Sequence, residues 1–524
     1  MIVSPAALCV PSTFDALSIP AARVVAVNAA VVANFSAESP EWLRFSQPSQ
    51  SLVNANFCNV TITYTHPGQG DNVSVETWLP LDGWNQRLQS AGGGGYGAGR
   101  FDGVYGAMYG ALADGYATSS TDAGLLPTPD PSGWAHVSPG NINWYNLQNL
   151  ASVSLGELAT VSKYVISRFY GKNPEYSYFN GCSQGGRQGL ELAQRYPDAY
   201  DGIMAGAPGI RLPEASPALL WAQQLMREAG EYPFPCELDT VVQAAIDFCD
   251  PLDGVVDGIV GEPYMCLEQF DASTLIGREI TCAQTNSTMT ISATAVQVVT
   301  GTWQGPSTLD GRQLFPGPLP GADLTGNLPY SVAPGPALTL CTEEGCMGLD
   351  NVPAQQWVQL WVSRLETVDF DNLSREEFLR LLHQSRQWFG SVFNTNDPDI
   401  SPFQKAGGKL ITFIGLADNA ILPTPLEQYY QSVSDVVSDV DGFFRYFEVP
   451  GLGHCAGGPG SLPIHLFEGL RAWVENGTAP EHSPVTITNL EGGIEERIIC
   501  PYPQKPTFNE SCAETGSREC WTCS

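Results

Sequence analysis

One five-residue stretch, Gly181-Cys182-Ser183-Gln184-Gly185, constrains the fold of this chain more than any other. It matches Gly-x-Ser-x-Gly, the pattern of a sharp strand-to-helix turn with the serine at its apex. Backbone at such a turn is strained and closely packed, so residues without side chains must flank it. Gly181, Gly185 and Gly186 meet that need. Upstream, Glu175 to Phe179 alternates and is aromatic, as a strand should be. Downstream, Leu190, Leu192, Ala193 and Tyr196 line one face of a helix that stops near Pro197. The motif alone reads equally well as a glycine-rich turn carrying an ordinary serine. The strand before it and the helix after it favour the turn with an exposed nucleophile.

The neighbouring segments supply a sheet for that turn. Asn146 to Phe169 has apolar residues at helical spacing, and Gly202 to Pro208 is a short apolar strand. Strand, helix and strand in alternation predict a parallel sheet, hence an α/β fold. Val60–Thr65 and Val73–Leu79 both alternate across a Pro67–Gly70 turn and predict a hairpin. Far downstream, Gly408–Gly415 is a strand followed by Asp418, and Phe443–Val449 is a strand followed by His454 in a glycine-rich loop. Ser183, Asp418 and His454 thus follow strand ends in the order of an α/β-hydrolase fold, where ligands bind. Of the six histidines (66, 136, 383, 454, 465 and 482), His454 alone follows a strand inside such a loop. Asp122 competes as the acid, but it precedes the serine, against that order. Gly92 to Gly95, after an early strand, is either a flexible loop or a place of close backbone approach. In this fold such a loop supplies an oxyanion donor. The expected donors are the N–H of Gln184 and one from Gly93–Gly95, with Gly94 and Gly95 favoured.

From about residue 210 to 395 the rhythm changes. Helical segments such as Ala218–Ala229, Leu238–Phe248 and Arg375–Arg386 alternate with proline- and glycine-rich stretches, without strand–helix–strand repeats. This predicts a lid inserted into the sheet domain. The expected division is 1–209 (first part of the sheet domain), 210–395 (lid) and 396–524 (second part with a cysteine-rich tail). Inside the lid, Asp250, Asp253 and Asp257 fall within eight residues among turn formers. With the carbonyls of Val255 and Ile259 they form a hard-oxygen set suited to Ca²⁺; an ordinary acidic turn explains the spacing equally well.

Charge and cysteine bear on partners and compartment. The formal net charge is -31, which leaves no basic surface for nucleic acid. No apolar run is long enough to cross a membrane. Fourteen cysteines are scattered, and only Cys520-Trp-Thr-Cys523 has zinc-like spacing. Seven Asn-x-Ser/Thr sequons occur, at Asn34, Asn59, Asn72, Asn286, Asn372, Asn476 and Asn509. Together they point to an oxidising, secretory route. Met1 to Cys9 lacks the basic start and apolar core of a signal peptide, so a secreted protein is expected to carry a leader ahead of this stretch, and a cytosolic location stays open. A homodimer and a monomer are both compatible with the sequence.

Gly181-Cys182-Ser183-Gln184-Gly185-Gly186, Gly415-Leu-Ala-Asp418 and Gly453-His454-Cys455 together resemble the tannase/feruloyl esterase family. The resemblance runs from the Cys9 region to about residue 500. It implies a secreted serine carboxylesterase cleaving esters of aromatic acids, with Ser183 as nucleophile, His454 as base and Asp418 orienting it. It implies a disulfide between Cys182 and Cys455, and a structural Ca²⁺ in the Asp250–Ile259 loop. The implied substrate is a small or plant-polymer-linked aromatic ester, hydroxycinnamic in type. Two alternatives stay open: a galloyl ester hydrolase, and a non-catalytic secreted binding protein on the same fold. A thiol–disulfide role for Cys182 and Cys455 is disfavoured, because they flank a serine and a histidine far apart in the chain. The cysteine-rich tail exceeds what the family requires.

Overall fold

The computed structural model describes residues 5–282, 284–328, 330–342, 345–364, 368–490, 492–509, 511–512 and 516–524. Residues 1–4, which open the stretch read for a leader, lie outside the described residues.

Among the described residues, nine strands build the large sheet. In chain order they are β1 (Arg23–Ser39), β2 (Gln50–Thr65), β3 (Val73–Pro80), β4 (Arg87–Ala91), β5 (Ala117–Thr121), β6 (Tyr176–Cys182), β7 (Gly202–Gly206), β8 (Lys409–Gly415) and β9 (Phe444–Val449). In space they run β1-β2-β3-β5-β4-β6-β7-β8-β9. β1, β2, β3 and β5 pair antiparallel, and every pairing from β5 to β9 is parallel. The predicted hairpin is β2–β3, with Tyr64 opposite Val73. The burial patterns follow the pairing. β1, at the edge, mixes exposed and half-buried positions, whereas every residue of β3, β5 and β7 is buried. β7 is the short apolar run a doubly covered strand should be, whereas β5 is buried but hydroxyl-rich, with Ser119 bonded to Ser90 and Ser162.

Helices α1 (Asp102–Ala113), α2 (Ser154–Tyr170) and α3 (Gln184–Arg195) link the strands of the first half. Leu155, Val161 and Val165 of α2 and Leu190 of α3 pack with Phe179, Ile203 and Leu410 on one face of the sheet. A later helix, Leu466–Asn476, covers Met204, Ile411 and Phe413 on the other. Such two-sided cover is what a parallel sheet needs.

The chain leaves the sheet after β7 and returns as β8, and the two strands are neighbours, with Gly202 opposite Lys409. Between them, the described part of residues 207–408 carries helices such as Pro235–Cys249, Ala293–Gln304 and Arg375–Phe393, and two short hairpins. They bury a second apolar core containing Trp221, Val241, Val299, Trp357, Trp361, Phe378 and Phe389. Tyr96, Trp134, Leu147 and Leu150, from before the nucleophile turn, belong to this second core as well. This core thus also takes in residues from the loops that follow β4 and β5. No helix is long and apolar enough to cross a membrane among the described residues.

All fourteen cysteines are paired: Cys9–Cys58, Cys182–Cys455, Cys236–Cys282, Cys249–Cys266, Cys341–Cys346, Cys500–Cys523 and Cys512–Cys520. Cys520 and Cys523 thus belong to two separate disulfides, which rules out the zinc reading of their spacing.

Candidate active site

The turn between β6 and α3 is as tight as its glycines suggest. Ser183 sits at φ 62° and ψ -120°, a left-handed backbone that few residues with a Cβ adopt. Its N–H donates to the Gly206 carbonyl (3.0 Å), and its carbonyl accepts from the Arg187 N–H (2.9 Å). A Cβ at Gly186 would stand 2.1 Å from the Gly206 oxygen, and one at Gly181 would stand 2.7 Å from the Gly185 backbone. Both positions require glycine because backbone meets backbone there.

Asp418 and His454 reach this serine from the loops after β8 and β9. His454 Nε2 lies 3.0 Å from Ser183 Oγ, and His454 Nδ1 lies 2.8 Å from Asp418 Oδ2. Asp418 is wholly buried, and its other oxygen accepts the N–H groups of Ala420 (2.9 Å) and Ile421 (2.8 Å). Those bonds fix the carboxylate, which in turn fixes the ring so that Nε2 faces the hydroxyl. Burial disfavours a charged His454. The Asp418 charge and hydrogen bond outweigh it and hold the ring's pKa above the ordinary 6.5. The Cys182–Cys455 disulfide, with Cα atoms 6.1 Å apart, joins the residue before the serine to the residue after the histidine.

The glycine-rich loop after β4 lies directly on the turn. A Cβ at Gly92 would stand 2.7 Å from Gly185 Cα, and one at Gly93 would stand 2.1 Å from the Gly97 oxygen. Most N–H groups of this loop are committed. Gly92 donates to Asn180 O (2.9 Å), Gly93 to Gln188 Oε1 (2.8 Å), Gly94 to Gly97 O (3.2 Å) and Tyr96 to Pro129 O (3.1 Å). Gly95 N–H has no partner among the described residues. Of Gly93, Gly94 and Gly95, the N–H of Gly95 is thus the one left uncommitted among the described residues. Gln184 opens α3, where N–H groups lack intrahelical acceptors.

Asp122 is elsewhere. It accepts from the N–H groups of Ser74 and Gly124 and pairs with Arg100 at 2.8 Å, so it braces the end of β5. His465 precedes the helix Leu466–Asn476 as its N-cap residue. His66 is buried between two carboxylates, with Nδ1 2.5 Å from Asp71 and Nε2 2.7 Å from Glu157.

The Asp250–Ile259 loop follows a helix, Pro235–Cys249, and is held by the Cys249–Cys266 bond. Asp250 accepts the N–H groups of Asp257 and Gly258 (2.9 Å each), Asp253 that of Val255 (3.0 Å) and Asp257 that of Ile259 (3.1 Å). Burial pushes Asp257 up to about 6; Arg497, 3.5 Å away, opposes this and Asp250 adds to it. Carboxylate oxygens are the donor chemistry a hard cation takes, but both oxygens of Asp250 already accept backbone N–H groups, Asp257 Oδ2 faces Arg497 and Asp253 is exposed. Among the described residues, no three His, Cys, Asp or Glu side chains are gathered as a closed metal cluster.

A cavity of about 370 Å³ opens beside His454, walled by Asn419 and by Asp323, Tyr330 and Val332 from the 207–408 segment. A larger one, about 790 Å³, lies between the Asp250–Ile259 loop and the C-terminal strands, and no residue of the Ser–His–Asp series lines it. The smaller cavity meets the series through His454; Ser183 does not line it.

The sequence reading missed the polar residues of α3. Arg187 is fully buried, donates Nε to Gln184 Oε1 (2.9 Å) and Nη2 to the Leu150 and Ala151 carbonyls (3.1 and 2.7 Å), and desolvation lowers its pKa to about 10. Gln188 is equally hidden. A signal was present: a helix that must lie under a sheet carries Gln184, Arg187, Gln188 and Glu191 in its first two turns.

A hydroxyl, an imidazole and a carboxylate bonded in series, at the C-terminal ends of parallel strands, form the arrangement used by serine hydrolases. The family model "Tannase and feruloyl esterase" matches residues 58–521. A probable feruloyl esterase of Arthroderma benhamiae is 35% identical over 471 residues, covering 88% of this chain and 84% of its own. A tannase of Aspergillus oryzae is 28% identical over 87% of this chain and 84% of its own. The solved structure of tannin acyl hydrolase from Aspergillus niger superposes with a TM-score of 0.85 at 28% identity, covering 99% of this chain and 95% of its own. The chain belongs to the tannase and feruloyl esterase family.

Proposed function

We propose that this chain is a serine carboxylic ester hydrolase acting on esters of aromatic acids. The observation that carries the reading is the bonded series Ser183–His454–Asp418. Ser183 attacks the ester carbonyl while His454 takes its proton. The N–H groups of Gln184 and Gly95 bind the oxygen as it gains charge. His454 then protonates the departing alcohol, and water releases the acid by the same steps in reverse. A non-catalytic binding protein would not need this series, and reaction of Ser183 with a fluorophosphonate tests that alternative.

Hydroxycinnamic acids are the favoured acyl group, supported by the feruloyl esterase relative at 35% identity. The structural likeness to tannin acyl hydrolase supports galloyl esters as the second reading. Turnover of methyl ferulate, methyl caffeate, methyl gallate and an aryl acetate, side by side, ranks them. A chain that hydrolyses only the acetate would defeat both.

Residues 210–395 act as a lid on the sheet parts 1–209 and 396–524. Tyr330 and Val332 at the cavity beside His454 support this reading. Asp250, Asp253 and Asp257, with the carbonyls of Val255 and Ile259, hold a Ca²⁺ that braces the lid and takes no part in the chemistry. Chelation should lower the melting temperature more than it lowers kcat at low temperature; calcium missing from gently purified protein would sink the assignment. The paired cysteines support secretion, tested by recovery from culture medium with its disulfides formed.

A further inference from the structure

The loop that presents Gly95 is built like a small hairpin. Gly94 N–H donates to Gly97 O (3.2 Å), and Gly97 N–H donates back to Gly94 O (2.9 Å). One step further from the tip, Gly93 and Ala98 face each other but do not bond directly. The side chain of Gln188 stands between them: its Oε1 accepts from Gly93 N–H (2.8 Å), and its Nε2 donates to Ala98 O (3.0 Å). The orientation of the amide is forced, because a backbone N–H can only donate and a carbonyl can only accept. Gln188 is 1% exposed, so water does not compete for either bond. It lies five residues beyond Ser183, on the helix whose first N–H is the other oxyanion donor.

We propose that Gln188 is a positioning residue for ester hydrolysis: its amide sets the distance between the Gly95 N–H and the turn carrying Ser183 and Gln184. This rests on the esterase reading above. Both oxyanion donors must lie within hydrogen-bond reach of one developing charge, about 2.7–3.1 Å from it. One comes from α3 itself and the other from a loop that shares no β-ladder with α3. The loop is bonded on either side, by Gly92 N–H to Asn180 O and by Tyr96 N–H to Pro129 O, but between these points its tie to α3 is glycine packing and the Gln188 amide. A two-point amide clamp fixes the loop there. The carboxamide is suited to the task because one planar group satisfies a donor and an acceptor together. A carboxylate or a hydrocarbon of the same length cannot do both.

The test uses Gln188→Met, which keeps the shape and loses both bonds, and Gln188→Glu, which keeps an acceptor and donates only when protonated. The readouts are kcat and KM for 4-nitrophenyl acetate and the affinity of an aryl trifluoromethyl ketone, whose adduct with Ser183 carries the oxyanion. Losing a whole donor costs on the order of 10²–10³ in kcat, and a displaced donor should cost about 10–100-fold. Gln188→Met is expected to lower kcat and ketone affinity together by that factor with KM within about threefold. The ratio of Gln188→Glu to parent kcat should rise as pH falls and the new carboxyl gains its proton. If Gln188→Met fails to fold, that pH-dependent ratio decides alone. Ketone affinity and kcat within twofold of the parent in Gln188→Met, or a flat ratio in Gln188→Glu, overturns the clamp while the esterase reading stands. A parent that neither hydrolyses the acetate nor binds the ketone overturns both.

Discussion

Two histidines in this molecule sit against buried carboxylates, and only one is placed to move a proton. His66 presents both ring nitrogens to acids, Asp71 at 2.5 Å and Glu157 at 2.7 Å. His454 presents Nδ1 to Asp418 at 2.8 Å and Nε2 to the hydroxyl of Ser183 at 3.0 Å. In both, burial opposes a charge on the ring and the acidic partners more than offset it. With two acids the ring is a cross-link, tying the β2–β3 turn to α2. With one acid and one hydroxyl the ring turns one nitrogen to the serine, where it can take a proton. A carboxylate neighbour therefore does not mark a catalytic histidine; the group facing the other nitrogen does.

The sharpest way to break this contrast is to remove the hydroxyl. Ser183→Ala should lower kcat by about 10⁶-fold, as loss of the nucleophile does in other serine hydrolases, with the fold intact by circular dichroism. Near-parental turnover would end the assignment. Next are the two acids. Asp418→Asn leaves His454 in the wrong tautomer and should cost about 10⁴-fold in kcat with little change in melting temperature. Asp71→Asn should do the opposite: kcat within about twofold, and stability lower by roughly 1.5–3 kcal/mol, because the ring loses one of its two acids and keeps Glu157. If both variants act on the same property, the two sites are not different in kind.

Replacing Cys182 and Cys455 together by Ala probes whether the register of the series depends on its staple. About 1 Å of displacement can cost about 10²-fold in rate. A double variant that stays folded and keeps full kcat would show that packing alone holds the two loops. The smallest effects are those of pH, and they run in opposite senses. His454 works as a base only when neutral, and its pKa is raised, so kcat/KM should fall with acid through a midpoint above 6.5. His66 contributes through its charge, and its pKa is also raised. Its stabilisation is complete below the unfolded value near 6.5 and is lost as pH rises through the higher folded value. Melting curves of the parent and His66→Gln should therefore converge at alkaline pH; a constant difference would mean that His66 is not held as a cation.

The reactive series was readable from the chain because each member carries a local mark. Ser183 has its glycines, and Asp418 and His454 each follow an apolar strand within a few residues. The oxyanion loop was half readable. Four consecutive glycines announced close approach, but which N–H stays uncommitted depends on a side chain ninety-five residues later, Gln188, and no local pattern reports that. The His66–Asp71–Glu157 cluster escaped for the same reason. The Pro67–Gly70 turn was seen, but the partner on α2 arrives only through packing. The boundary of the inserted segment was placed by texture, and texture cannot show that Tyr96 and Trp134 are recruited into its core.

The placement of the insertion also has a consequence in time. Ser183 and its helix leave the ribosome early, whereas Asp418 and His454 emerge only after the whole 207–408 segment has been made. At about 5–20 residues per second, Ser183 waits on the order of tens of seconds for His454. During synthesis the serine stands without its imidazole and carboxylate, and the bonded series is complete only once the last sheet strand has docked.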